Sequence, residues 1–91
     1  MRFEWAEAKW LENIRKHGLD FRDAHRVFEE ESYTEADERY DYGEIRYYTI
    51  GILKGLIVVI SHTETPKVIR IISFRKAEKY EQELYFKTIR D

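Results

Sequence analysis

Cysteine is absent from this chain, which excludes disulfides and thiolate metal sites and suits a reducing cytosol. Proline occurs once and glycine four times. There is no glycine-rich phosphate loop, and neither a Rossmann nor a P-loop pattern is present. The three histidines, His17, His25 and His62, fall on three different expected elements, so no metal-ligand spacing arises and no metal or other cofactor is expected. A triad hydrolase needs its serine in a sharp strand-to-helix turn, and Ser73 has no glycine around it. No apolar run approaches the roughly 20 residues that cross a bilayer. The Met-Arg-Phe-Glu-Trp start has no signal-peptide apolar region. The expectation is a cytoplasmic protein with no membrane role.

Charge and aromatic side chains are plentiful, and together they argue for a folded protein with a busy surface and against disorder. Ninety-one residues make one small domain, 1–91. The net charge of −2 hides a division: residues 1–45 carry −6 and residues 46–91 carry +4. Such a chain either pairs its halves internally or holds a polyanion on one side and a basic partner on the other. The acidic part peaks at residues 29–44, with eight acids against the single base Arg39. That run reads as a solvated loop or as a docking surface for a basic partner.

Residues 68–85, V-I-R-I-I-S-F-R-K-A-E-K-Y-E-Q-E-L-Y, organise the rest. The segment starts as a strand, with Val68, Ile69, Ile71, Ile72 and Phe74 apolar. Arg70, Ser73 and Arg75 interrupt it. A guanidinium cannot be deprotonated, and burying one unpaired costs several kcal/mol. Each arginine therefore either bridges to a carboxylate, with Glu78 and Glu81 on the following helix available, or faces something anionic at the sheet rim.

The remaining pattern fills in an α+β domain. Residues 3–5 can add an edge strand. Helical spacing runs over 6–17, with Gly18 as its stop. Asp20 is placed to cap a second helix over 21–29, with Asp23 completing a capping box. A short strand is expected near 32–35. Strands over 45–53, 56–63 and 68–75 are linked by the Lys54-Gly55 turn and by a turn at 64–67, which forces an antiparallel meander. A last helix covers 76–89. Simple alternation puts Ile69, Ile71, Ser73 and Arg75 on one face with His62. It puts Arg46, Arg70, Ile72 and Phe74 on the other, which is expected to receive the helices, with Arg46 near Arg70 across Ser61.

These residue types suit a polyanion. RNA carries its own nucleophile, the 2′-hydroxyl, so cutting it needs backbone positioning, stabilisation of charge on phosphorus and help with proton transfer. Arginine suits the second task, His or Tyr the third, and aromatics stack on unpaired bases.

One combination is more specific. Phe3-Glu4-Trp5, Lys9, Asn13, Lys16-His17-Gly18-Leu19, Phe21, Ala24 and Val27-Phe28 occur in order. Gly43-Glu44, Arg46, Ile50-Gly51, Val58-Val59, Thr63, Arg70-Ile71-Ile72-Ser73, Arg75, Ala77, Glu81 and Tyr85 follow. The chain resembles the BrnT toxins of bacterial type II toxin–antitoxin systems along nearly its whole length. The resemblance implies a RelE-like fold, two N-terminal helices and a C-terminal helix packed on a small antiparallel sheet. It implies a metal-independent endoribonuclease that halts translation. It also implies a BrnA-like antitoxin, two of each in a complex, that reaches operator DNA only through the antitoxin. Phe74 departs from the family's usual Ala and His62 from a common Tyr. On this reading Arg70 and Arg75 hold phosphate, His62 or Tyr85 moves a proton, and Lys16, Lys76 and Lys79 steer the RNA backbone. The alternative is a protein-binding module without catalysis, acting only as partner of a DNA-binding regulator.

Overall fold

A five-stranded sheet with helices on both faces forms the molecule, in a computed structural model that describes residues 1–39 and 43–90. Tyr40, Asp41 and Tyr42, part of the acidic run, lie outside the described residues. The elements in order are β1 (Arg2–Glu4), α1 (Glu7–His17), a 3-10 turn (Phe21–Asp23), α2 (Ala24–Glu29), β2 (Tyr33–Ala36), β3 (Tyr47–Leu53), β4 (Leu56–Glu64), β5 (Val68–Lys76) and α3 (Lys79–Tyr85). A π turn, Phe86–Arg90, closes the chain. The sheet order is β1-β5-β4-β3-β2.

The architecture differs from the expected antiparallel sheet with two N-terminal helices and one C-terminal helix. The sheet is mixed and not antiparallel, because β1 runs parallel to β5, with Arg2, Phe3 and Glu4 opposite Val68, Ile69 and Arg70. The helices are not two at the start and one at the end: β1 precedes α1, and α2 is a short helix entered through a 3-10 turn. Parallel neighbours require a crossover, and α1, α2, β2, β3 and β4 all lie between β1 and β5. The Asp20–Asp23 capping box also does not form. Asp20 accepts from the Arg22 N–H, while Asp23 makes no side-chain cap.

The hairpin turn follows its chemistry. Lys54 and Gly55 both take positive φ, 51° and 83°, as a two-residue turn matched to strand twist requires. It aligns Leu53 with Leu56 and Tyr47 with His62.

Both sheet faces are covered, not one. Val58, Val59 and Ile60 are all buried, as is Ile50, the continuous pattern of strands enclosed from two sides. On one face Phe21, Ala24 and Val27 pack on Val58, Ile60, Ile69, Ile71 and Phe74. On the other, Ala77 and Tyr85 pack on Ile50, Ile57 and Val59. Gly51 lets α2 approach β3: a Cβ there would lie 2.6 Å from Val27 Cγ1.

The alternation expected along β5 fails at Ile72. Thr63 opposes Arg70 and His62 opposes Ile71, but Ser61 opposes Ser73 and Val59 opposes Arg75. One residue is bulged out, so side chains beyond it exchange faces. Phe74 enters the α1–α2 core, and Arg75 turns to the α3 face. Arg46 and Arg70 do not share an acid: Arg46 reaches Glu44 at 3.6 Å and Arg70 reaches Glu4 at 3.3 Å.

Asn13 closes the gap that short β1 leaves on β5. Its side-chain amide donates to the Phe74 carbonyl at 2.7 Å, and its oxygen accepts from the Phe74 N–H at 3.0 Å. One side chain thus imitates a neighbouring strand, and it also donates to the Leu19 carbonyl at 3.0 Å.

Candidate active site

The bulge delivers Arg75 to a cleft of about 130 Å³ between the sheet and α3. Tyr48 from β3, Ser61 from β4, Tyr80 and Glu81 from α3, and Arg39 from the loop after β2 share it. The start of α3 explains the geometry. Glu78 and Glu81 form a capping box, Glu81 accepting from the Glu78 N–H at 2.8 Å. The same carboxylate meets Arg75 as a fork, NH1 to Oε1 at 2.8 Å and NH2 to Oε2 at 2.9 Å. Arg75 NH1 also donates to the Lys76 carbonyl at 3.2 Å. The Tyr80 hydroxyl lies 3.5 Å from Glu81 Oε2.

Burial pushes the Glu81 carboxyl up, but the Arg75 fork and the Glu78 N–H outweigh it and hold the group below its ordinary value. Glu81 is ionised at neutral pH, and its hydrogen bond raises the Arg75 guanidinium in turn. The Arg75 side chain keeps 28% of its surface exposed, against 7% for Glu81. Three hydrogen bonds engage a group with five N–H donors. Two of its N–H donors are therefore not engaged by the described residues. Burial raises the Tyr48 phenol, with the negative charge of Glu35 adding to the effect.

The other residues singled out from the sequence are dispersed. Arg70 stands at the β1 side of the sheet, 48% exposed and paired with Glu4. Lys76 and Lys79 are exposed at the end of β5 and the start of α3, beside Arg75 in sequence. Lys16 is exposed at the end of α1. His62 is wholly enclosed, on the α1–α2 face and so across the sheet from Arg75. Phe28 meets its ring edge-on and Tyr47 stacks on it. Its Nε2 shares a 2.7 Å hydrogen bond with Thr49 Oγ1, which is bonded in turn to Thr34 Oγ1. Among the described residues Nδ1 has no partner in hydrogen-bond geometry. Burial lowers its pKa to about 4, against a smaller opposing contribution from the Thr63 backbone. Tyr85 is 2% exposed, and its hydroxyl donates to the Glu31 carbonyl at 3.4 Å. It holds α3 to the segment after α2.

Tyr48, Ser61, Arg39 and Tyr80 are not among the site residues expected from the sequence, where Tyr80 is read as a packing residue of the last helix. The one available signal was Tyr80 lying next to Glu81, the acid already considered for Arg75.

Residues 5–81 match the family model described as the ribonuclease toxin BrnT of type II toxin–antitoxin systems. The chain belongs to the BrnT family. The match takes in Arg75, Tyr80 and Glu81, and so the whole lining of the cleft except Leu84. Tyr85 lies beyond it. BrnT members are ribonuclease toxins, and a type II system supplies each toxin with an antitoxin partner. The comparison with curated proteins gives no match. Among the described residues no helix is long and apolar enough to cross a membrane.

Proposed function

We propose that this BrnT chain is an endoribonuclease that cuts RNA without a metal ion, stops translation by doing so, and is neutralised by a BrnA-like antitoxin. The observation that carries the reading is Arg75, fixed by Glu81 in an open cleft with two N–H donors not engaged by the described residues. In the reaction the 2′-oxygen attacks the adjacent phosphorus and loses its proton. The bond from phosphorus to the 5′-oxygen breaks, and that oxygen gains a proton, leaving a cyclic phosphate and a 5′-hydroxyl. Negative charge builds on the phosphoryl oxygens between these events, where the Arg75 guanidinium stabilises it. Glu81 does not serve as the base in this scheme, because its oxygens already accept from Arg75 and the Glu78 N–H. It keeps the fork aimed.

The enclosure of His62 and Tyr85 moves the proton-transfer role, in our reading, to Tyr80, whose hydroxyl sits at the cleft. Tyr48 offers a ring for a base. Lys76 and Lys79 steer the strand toward the opening, and Arg70 takes phosphate farther along the same side of β5.

The reading is tested by incubating the purified chain with single-stranded RNA in the presence of a chelator, and by inducing it in cells. Cleavage that survives chelation, growth arrest rescued by the adjacent small gene, and loss of both in Arg75→Ala are expected. Undiminished cleavage by Arg75→Ala overturns the assignment. The engagement of Arg75 by Glu81 also favours a second reading, a binding module without catalysis. Its signature is a stable complex with the partner, no cleavage and no arrest.

A further inference from the structure

We propose that a single RNA strand lies across β5, running from the Arg75 cleft over the Ser61–Ser73 pair into a groove along α1, where Lys9 and Lys16 take the phosphates that flank the cut. The inference rests on the reading of the Arg75 cleft as the cleavage site and extends it to a track for the substrate.

Two depressions meet at that pair. The Arg75 cleft includes Ser61. The second depression, of about 440 Å³, lies between α1 and β5 and is lined by Lys9, Glu12, Asn13, Lys16, His17 and Ser73 among others. Ser61 and Ser73 are opposed in register, and opposed residues bring their Cβ atoms to about 5 Å. The cleft and the groove therefore adjoin across one strand pair, floored by two small hydroxyl side chains. Neither hydroxyl makes a side-chain hydrogen bond among the described residues.

The groove suits a phosphate chain. Lys9 and Lys16 are exposed and make no ion pair among the described residues. They stand seven residues apart on α1, about 10 Å along its axis, so they reach different phosphates. Glu12 is the acid in the lining; Arg15 holds it at 2.7 Å, and Lys16 adds a weaker attraction to the same carboxylate. The same bulge that turns Arg75 to its cleft brings Ser73 opposite Ser61. A duplex keeps its bases stacked inside, whereas a single strand can turn a base onto Tyr48 or Tyr80 while its backbone follows the lysines.

The test uses an uncleavable probe, a fluorescent single-stranded octamer of 2′-O-methyl uridine, titrated by anisotropy at several salt concentrations. Each phosphate contact to a single strand contributes about 0.7 to the slope of log affinity against log salt. The Lys9→Ala/Lys16→Ala chain is expected to bind more weakly, with a slope shallower by about 1.4. Lys9→Arg/Lys16→Arg keeps the slope, and so does Lys67→Ala, in the exposed β4–β5 turn. Wild-type affinity and slope in the double alanine chain overturn the path, as does equal binding of a duplex of the same length. Cleavage of unmodified RNA is read separately. Cleavage with an unchanged slope overturns the path and leaves the enzyme, whereas a changed slope without cleavage overturns the enzyme.

Discussion

Arg75→Ala removes one partner from a carboxylate that is almost fully enclosed, and the cost can be worked from the site. Glu81 would retain the Glu78 N–H and the long Tyr80 contact. Breaking a wholly buried ion pair costs about 3–5 kcal/mol, mostly because a charge is left behind. Water reaches part of Arg75, so about 2–3 kcal/mol is expected at pH 7. In a domain of this size each kcal/mol moves the melting temperature by about 4–8 °C, which places the fall at roughly 8–24 °C. The pH dependence gives a sharper signature. Glu81 is held below its ordinary value of 4.5, so the stability it contributes is present above that value and is lost as pH falls through the folded one. Without Arg75 the depression goes and burial dominates. The gap between wild type and Arg75→Ala should be widest near neutrality, begin to shrink as pH falls toward about 4.5 because the variant's Glu81 protonates early, and go on shrinking below it as the wild type loses its ion pair. Arg75→Ala/Glu81→Gln, with no charge to strand, should recover much of the melting temperature and none of the activity. Thermal melts read by circular dichroism from pH 7 to pH 3 measure all of this. A gap that stays constant across that range refutes the account of the pair.

Three further outcomes follow from the packing. Asn13→Ala leaves the Phe74 N–H and carbonyl without partners in a buried place, and should cost about 2–4 kcal/mol in urea denaturation. His62 is lowered from 6.5 to about 4, so the unfolded chain binds its proton first and stability falls as pH drops between those values. At about 1.36 kcal/mol per pH unit the loss is roughly 3 kcal/mol, and His62→Phe should abolish it in melts between pH 7 and 4. Gly51→Ala drives a methyl into Val27 and should destabilise by about 1–3 kcal/mol, measured by the same melts.

The meander was legible because each strand carries its own apolar pattern and the links are too short for anything but antiparallel return. Lys54-Gly55 set its register correctly. β1 was legible as a strand but not as a parallel one, since three residues contain no record of the partner they will meet. The site divides along the same line. Arg75 and Glu81 could be paired from the sequence, being one helical turn beyond the end of a strand. Tyr48, Ser61 and Tyr80 reach them only through long-range register and helix packing. His62 and Tyr85 both lie enclosed for a common reason: imidazole and phenol are also good packing groups, and the rings of Phe28 and Tyr47 cover His62.

The decisive step turns on a single residue, and the sequence is neutral about it. In R-I-I-S-F-R, Ile71 and Ile72 are equally apolar, so either could continue the buried row. Bulging Ile72 out lets Ile71 and Phe74 fill one core together, which a regular strand would place on opposite faces. Burying a side chain the size of Phe74 stabilises by about 1.5–3 kcal/mol. The regular register would also have sent Arg75 toward the apolar α1–α2 core and away from Glu81. Hydrophobic burial and guanidinium pairing thus favour the same local irregularity. The bulky Phe74, buried in the α1–α2 core, thus anchors the strand in the register that turns Arg75 to the cleft.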